Sequence, residues 1–385
     1  MKFTKLFDDF FASEKAGGII LIICAAASLA LANSGFQTNY IGFWHIPFQG
    51  HSLEYWINGG LMTIFFLLIG LELEREIYNG ELSSFRKAAL SVVSATGGMV
   101  VPAVLFLLFN LGTAYKSGAG IPMATDIAFA IGVLSLLGRR VPFSLKIFLT
   151  AMAVIDDLGA IIVIAVFYTN TLSLTNVGIA LGIFSFLFLL RWLKVRNLIP
   201  YLIGGVFMWY FMLHSGIHAT ITGVLLALVI PFGDGKEKSP SYILQKLLHK
   251  PVAFLILPLF ALANTCIVLQ GSWHHSLMQP ISLGILAGLV LGKPLGIVLF
   301  GFLAVITGLC KLPHNMKWKQ IVGIGFLGGI GFTMSVFITL LAFNQPDQIN
   351  EAKIAIIVSS CIASIIGYLW LSITLKEPGG VNSHN

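Results

Sequence analysis

Apolar stretches long enough to cross a bilayer core recur from one end of this 385-residue sequence to the other. Twelve are legible, at 14–32, 54–78, 88–110, 117–137, 142–168, 174–192, 199–213, 217–231, 243–269, 281–308, 319–343 and 351–375. Hydrocarbon offers no partner to a backbone amide, so each such stretch must be helical. Composition agrees: 57% of residues are hydrophobic and 10% charged, far from the balance of a soluble chain. The first stretch ends in Ala30, Leu31 and Ala32, which mimic a signal-peptide cleavage site. Its leader carries Asp8, Asp9 and Glu14, and its apolar run is longer than a secretory one, so an uncleaved first helix is expected.

An even number of spans puts both termini on one side, and the cations say which. Twenty of the 23 lysines and arginines fall in the leader, the even-to-odd connections and the tail, among them Arg86, Lys87, Arg139, Arg140, Lys236 and Lys317. Lys116 and Lys353 fall opposite, and Lys293 lies inside a span. This asymmetry places both ends in the cytoplasm. It also accounts for the net charge of +7, so nothing points to nucleic acid. Cys24, Cys266, Cys310 and Cys361 have no metal or redox spacing.

No linker divides the chain, which predicts one membrane domain over 1–385. The longest connections are 33–53 outside and 232–242 inside. The outer one is rich in aromatic and β-prone residues around Gly50 and reads as a surface hairpin. A two-stranded ribbon is marginal alone, so a homodimer pairing two copies is expected.

Two spans are interrupted. In span 4, GAGIPMATDIAFAIG places Pro122 mid-membrane and follows it with Thr125 and Asp126, which suit a new helical start. In span 11, GFLGGIGFTMSVF puts Gly325, Gly328, Gly329 and Gly331 just ahead of Thr333. Each is the middle member of a triplet, spans 3–5 and spans 10–12, and the odd offset of seven makes the triplets inverted in topology. Paired interruptions of this kind mark the midplane site of a transporter.

Deep in the spans the ionisable residues reduce to Asp126, Asp156, Asp157 and Lys293. A charged side chain at the bilayer centre costs at least about 2.5–3.5 kcal/mol, so such residues are partnered and functional, or else form a structural ion pair. Asp156 and Asp157 are adjacent in otherwise unbroken hydrocarbon, with Asp126 as a third wall and Lys293 as counter-charge. Three carboxylates against one ammonium cannot all ionise cheaply, so the cluster shares its titration and binds protons near neutral pH. A small hard cation prefers the same oxygens and competes with those protons. If the site crosses only when loaded with one or the other, exchange follows without a second site. At the breaks, Asp126 opposes helix N-termini, Lys293 opposes C-termini, and Thr125 and Thr333 bond the freed backbone.

These residues sit in familiar runs: GLELERE at 70–76, ATDIAFAIGVLSLLG at 124–138, IDDLGAIIVIAVFYTN at 155–170, SGIHAT at 215–220, LGKPLGI at 291–297 and GIGFTMSVF at 329–337. Together they resemble the NhaA family of sodium/proton antiporters over essentially the whole chain. The resemblance implies an all-α protein of twelve transmembrane helices, with inverted repeats and spans 4 and 11 crossing as discontinuous helices. It implies electrogenic, pH-regulated exchange of cytoplasmic Na+ or Li+ for external H+ by alternating access. No cofactor and no enzymatic activity are expected, and the homodimer would join through the outer hairpin. It assigns ion and proton binding, including transient Na+ ligation, to Asp156 and Asp157, and the crossing to Thr125, Asp126 and Lys293, to which the reading of the span 11 break adds Thr333. Glu72, Arg75 and Glu76 match a pH-response region, or are solvated charges capping span 2. His218 matches another such position, or simply packs a helix. Gly59 stands where relatives often carry an acid, and 244–251 has none, two departures from the family's pattern.

A symporter shares this logic and differs in the sign of coupling. An intramembrane aspartyl protease needs acids facing each other from separate helices, and the adjacent pair and missing GxGD segment argue against it. A passive channel requires neither Lys293 nor paired breaks.

Overall fold

A computed structural model describes residues 2–168, 172–233, 238–269, 273–313 and 316–375. The tail after 375 and part of the inner connection 232–242, Lys236 included, lie outside the described residues. Along the chain run α1 (Lys2–Ala32), α2 (Gln37–Trp44), the strands β1 (Pro47–Phe48) and β2 (His51–Ser52), α3 (Leu53–Asn79) and α4 (Phe85–Asn110). A tight ten-residue 3₁₀ helix, α5 (Ala114–Met123), precedes α6 (Ile127–Ser135), α7 (Phe143–Phe167), α8 (Leu174–Trp192) and α9 (Ile199–Leu213). There follow α10 (Ile221–Val229), α11 (Pro240–Asn264), α12 (Pro280–Ile306), α13 (Trp318–Gly328), α14 (Phe332–Ala342) and α15 (Pro346–Thr374).

Among the described residues eight helices are long and apolar enough to cross a membrane, and counting each of two bent pairs as one span raises that to ten. The pairs are α5 with α6, bent by 44°, and α13 with α14, bent by 46°. The stretches expected at 199–213 and 217–231 form α9, with 15 residues, and α10, with nine. Large apolar side chains such as Phe167, Leu174 and Ile373 are exposed, as lipid-facing residues are.

The outer segment departs from the expected hairpin over 33–53. Only residues 47–52 form a ribbon, with Pro47 opposite Ser52 and Phe48 opposite His51, while Gln37–Trp44 is helical. Gln49 and Gly50 both take positive φ, 51° and 85°, the backbone that a two-residue hairpin turn demands.

The helices group into two compact units, neither continuous in sequence. Among the described residues, one draws on 2–19, 84–156 and 273–375, the other on 20–83 and 157–269. In the first, α4 and α12 meet backbone to backbone: a Cβ on Gly97 would strike the Gly296 carbonyl, and one on Gly296 the Gly97 carbonyl. Gly292 likewise lies against Pro102, and Gly288 against Pro122. Where lipid supplies no hydrophobic drive between helices, this close approach of small residues does the packing.

In the second unit, α3 and α10 cross in the same way at Gly70 and Gly223. Wide π turns at Ile57–Leu61 and Val252–Ile256 interrupt α3 and α11. The first frees the Gly59 carbonyl, which accepts from Trp209 Nε1 at 3.2 Å and Thr63 Oγ1 at 2.6 Å. Beside it, Asn58 and Asn264 exchange reciprocal amide hydrogen bonds of 3.2 and 2.8 Å.

Candidate ion site

The local sequence explains both breaks. After Pro122 the backbone at Ala124 turns extended, and Asp126 restarts the helix as N-cap, its Oδ1 accepting from Phe129 N at 2.9 Å. Between Gly328 and Phe332 the chain is mostly glycine, and α13 ends where Gly329 N turns back to the Gly325 and Phe326 carbonyls.

The two interruptions are bonded to each other. Asp126 N donates to the Ile330 carbonyl at 2.7 Å. Asp126 Oδ2 accepts from Thr333 N at 2.9 Å and from Thr333 Oγ1 at 2.5 Å. One buried carboxylate therefore caps the starts of both α6 and α14, where helix dipoles favour negative charge.

Lys293 follows a wide turn at Ala287–Gly292 and precedes Pro294, which has no amide hydrogen to give. Its Nζ donates to Asp156 Oδ2 at 2.6 Å and to the carbonyl of Met123, the last residue of α5. Thr125 Oγ1 lies 2.7 Å from the same Asp156 oxygen and 2.8 Å from the Gly328 carbonyl that ends α13. Thus both helix ends that expose carbonyls have a side-chain partner. Asp156 Oδ1 is buried and makes no hydrogen bond among the described residues. An acceptor in that condition is costly unless something positive joins it.

Thr125, Asp126, Asp156, Lys293 and Thr333 are thus gathered in one unit, all nearly inaccessible to solvent. Asp157 is fully buried and belongs to the other unit, the division falling between the two aspartates. The residues matched to pH response also lie there. Glu72 is buried, with Oε1 4.0 Å from His249 Nδ1, and Arg75 Nη2 lies 3.7 Å from Glu76 Oε1. His218 is apart from them in its bonding, donating from Nε2 to the Tyr168 carbonyl at 2.8 Å.

Reading the sequence missed three polar side chains that pair inside the second unit. Glu74, the second buried acid of α3, pairs with Arg191 Nη2 at 3.1 Å. His249 faces Glu72. Arg191, besides holding Glu74, donates to the Leu228 and Ile230 carbonyls at the end of α10. The spacing of two acids two residues apart on an apolar helix was the available signal for Glu74.

A bundle of apolar helices with acids and a lysine held inside it belongs to the class of multi-pass membrane proteins that handle charged cargo. The family described as Na+/H+ antiporter 1 matches residues 8–371. The Na(+)/H(+) antiporter NhaA of Flavobacterium psychrophilum is 66% identical over 377 residues, covering 98% of each chain. Na(+)/H(+) antiporter NhaA 1 of Flavobacterium johnsoniae is 64% identical, covering 96% of this chain and 97% of its own. The chain belongs to this Na+/H+ antiporter family. Its fold is similar to that of the sodium proton antiporter MjNhaP1 from Methanocaldococcus jannaschii, with a TM-score of 0.55 at 15% identity over 97% of this chain and 99% of that one.

Proposed function

We propose that this protein exchanges Na+ for H+ at the carboxylates of Asp156 and Asp157. It is a membrane transporter and not an enzyme; the ions are its substrates, and the family needs no cofactor. The observation that carries the site assignment is the divided loyalty of Asp156. One oxygen holds Lys293 and Thr125, while the other is buried and uncommitted. A proton or a desolvated alkali cation satisfies that oxygen, and the two exclude each other because they need the same lone pairs.

Asp126 and Thr333 hold the two breaks together, and Lys293 and Thr125 tie their carbonyl ends to Asp156. The sum is a polar seam that keeps backbone groups satisfied without water. The 44° and 46° bends support reading each pair as one discontinuous span, which brings the count to twelve when α9 and α10 also cross. Inverted repeats then relate α4–α7 to α12–α15. The distribution of cations supports cytoplasmic termini in a bacterial inner membrane. Outward Na+ or Li+ for a larger number of inward protons, by alternating access and under pH control through Glu72, Arg75, Glu76 and His218, completes the reading. The exposed ribbon at 47–52 supports a homodimer, to be checked by disulfide cross-linking of Phe48→Cys.

The decisive test uses acid-loaded vesicles containing the purified protein. Adding sodium outside should dissipate the proton gradient, and Asp157→Asn should abolish the effect while the protein still inserts. Normal exchange by that variant would overturn the assignment.

A further inference from the structure

The glycine-rich connection between α13 and α14 has little stiffness of its own, yet α14 must start in register for Thr333 to meet Asp126. Something outside the pair has to hold that geometry. The unbroken 29-residue α15 runs past both halves.

Its contacts follow one face. Trp370 Nε1 donates to the Lys319 carbonyl, in the first turn of α13, at 2.6 Å. Leu371 fills the space where a Cβ on Gly323 would fall, 2.5 Å away, and a Cβ on Gly367 would lie 2.7 Å from Leu327 near the end of α13. Two turns further towards the start of α15, Ser360 Oγ accepts from Phe332 N, the first amide of α14, at 3.2 Å. Residues 360, 367 and 371 are separated by seven and four, the spacing of a single helix face. Ser360 is 2% exposed. Its neighbour Ser359 instead donates within α15, to the Ala355 carbonyl at 2.6 Å.

Consecutive amides at the start of α14 are therefore claimed from two directions: Phe332 N by Ser360, and Thr333 N by Asp126. We infer that α15 splints the break between α13 and α14, and that Ser360 is a positioning residue which sets the first turn of α14, and with it Thr333 and Asp126, for sodium binding. This rests on the reading of the Asp126–Thr333 junction as part of the ion site. Ser360 touches no ion in this scheme; it acts through the helix start.

The test is sodium-driven dissipation of a proton gradient, measured over a sodium series in vesicles. Loss of a capping hydroxyl should raise the sodium concentration for half-maximal exchange about threefold to tenfold in Ser360→Ala, with the maximal rate changed by less than about twofold. Ser360→Thr, which keeps the hydroxyl, should restore the parent value, and Ser359→Ala should match the parent throughout. Should Ser360→Ala not accumulate in membranes, Ser360→Thr and Ser360→Val, nearly equal in volume, give the same comparison, with the valine form saturating at higher sodium. Parent-like half-saturation in the variants lacking the hydroxyl would overturn the inference, as would an equal effect of Ser359→Ala. Asp157→Asn in the same series separates the two levels. If it still exchanges, the site reading falls and takes this inference with it; if it is inactive while Ser360→Ala saturates like the parent, the splint alone falls.

Discussion

Lys293 Nζ lies 2.6 Å from Asp156 Oδ2, and neither side chain exposes any surface. Burying such a pair is expensive, and breaking it by removing one partner is worse, because the other charge is stranded. In Lys293→Ala the simplest way to keep the buried Asp156 neutral is a proton, which sodium must then displace. The exchange profile of that variant should therefore move towards more alkaline pH, with sodium half-saturation rising at neutral pH. A pH series in vesicles checks this, and a profile superimposable on the parent's would make the lysine structural only.

Asp126 accepts three hydrogen bonds from two helix starts, so its substitutions should be graded. Asp126→Asn keeps one acceptor oxygen and the shape, and should insert normally with weakened sodium affinity. Asp126→Ala leaves Phe129 N, Thr333 N and the Thr333 hydroxyl without that partner, each costing about 1–3 kcal/mol if nothing replaces it. Thermal melting in detergent should place alanine well below asparagine. Equal melting temperatures would mean that the junction is held by other contacts.

Gly296 sits one turn after Lys293, where α12 touches α4. A methyl group there would meet the Gly97 carbonyl, which is backbone and cannot rotate aside. Gly296→Ala should cost about 1–3 kcal/mol through overpacking and should displace Lys293 enough to impair exchange. Gly35→Ala, whose new methyl meets nothing within 4 Å, should match the parent in both melting temperature and rate.

How much of this was legible in the sequence depends on the range of the interaction. Pro122 and the glycines of 325–331 announce the two breaks because they act on their own backbone, and Asp126 is recognisable as the cap of α6 for the same reason. Its second duty, on Thr333 some 207 residues away, has no local signature. The wide turns at Ile57–Leu61 and Ala287–Gly292 were likewise invisible, since an extra residue in a helical turn is set by what packs beside it. Gly50 signalled the hairpin, while the aromatic stretch before it obscured a short helix. The division into two units could not be read along the chain, because each is assembled from segments far apart in sequence.

Glu74 and Arg191 give the sharpest example of a hidden contact and the last prediction. The guanidinium reaches Glu74 with one nitrogen and the carbonyls of Leu228 and Ile230 with the other, so it joins the ends of α3, α8 and α10. Arg191 is a quarter exposed, which weakens its Coulombic share, whereas Glu74 is almost fully buried and keeps the full cost of losing a partner. Arg191→Gln should therefore destabilise the protein by about 1–3 kcal/mol, the cost of a buried acceptor left without its partner. Glu74→Gln should cost less, because water can reach the arginine it leaves behind. Adding Glu74→Gln to Arg191→Gln should restore part of the loss, since no buried charge then remains unpaired, and a double-mutant cycle on melting temperature measures that coupling. Strict additivity of the two substitutions would mean that the pair contributes no interaction of its own and that Arg191 stabilises α10 through the carbonyls alone.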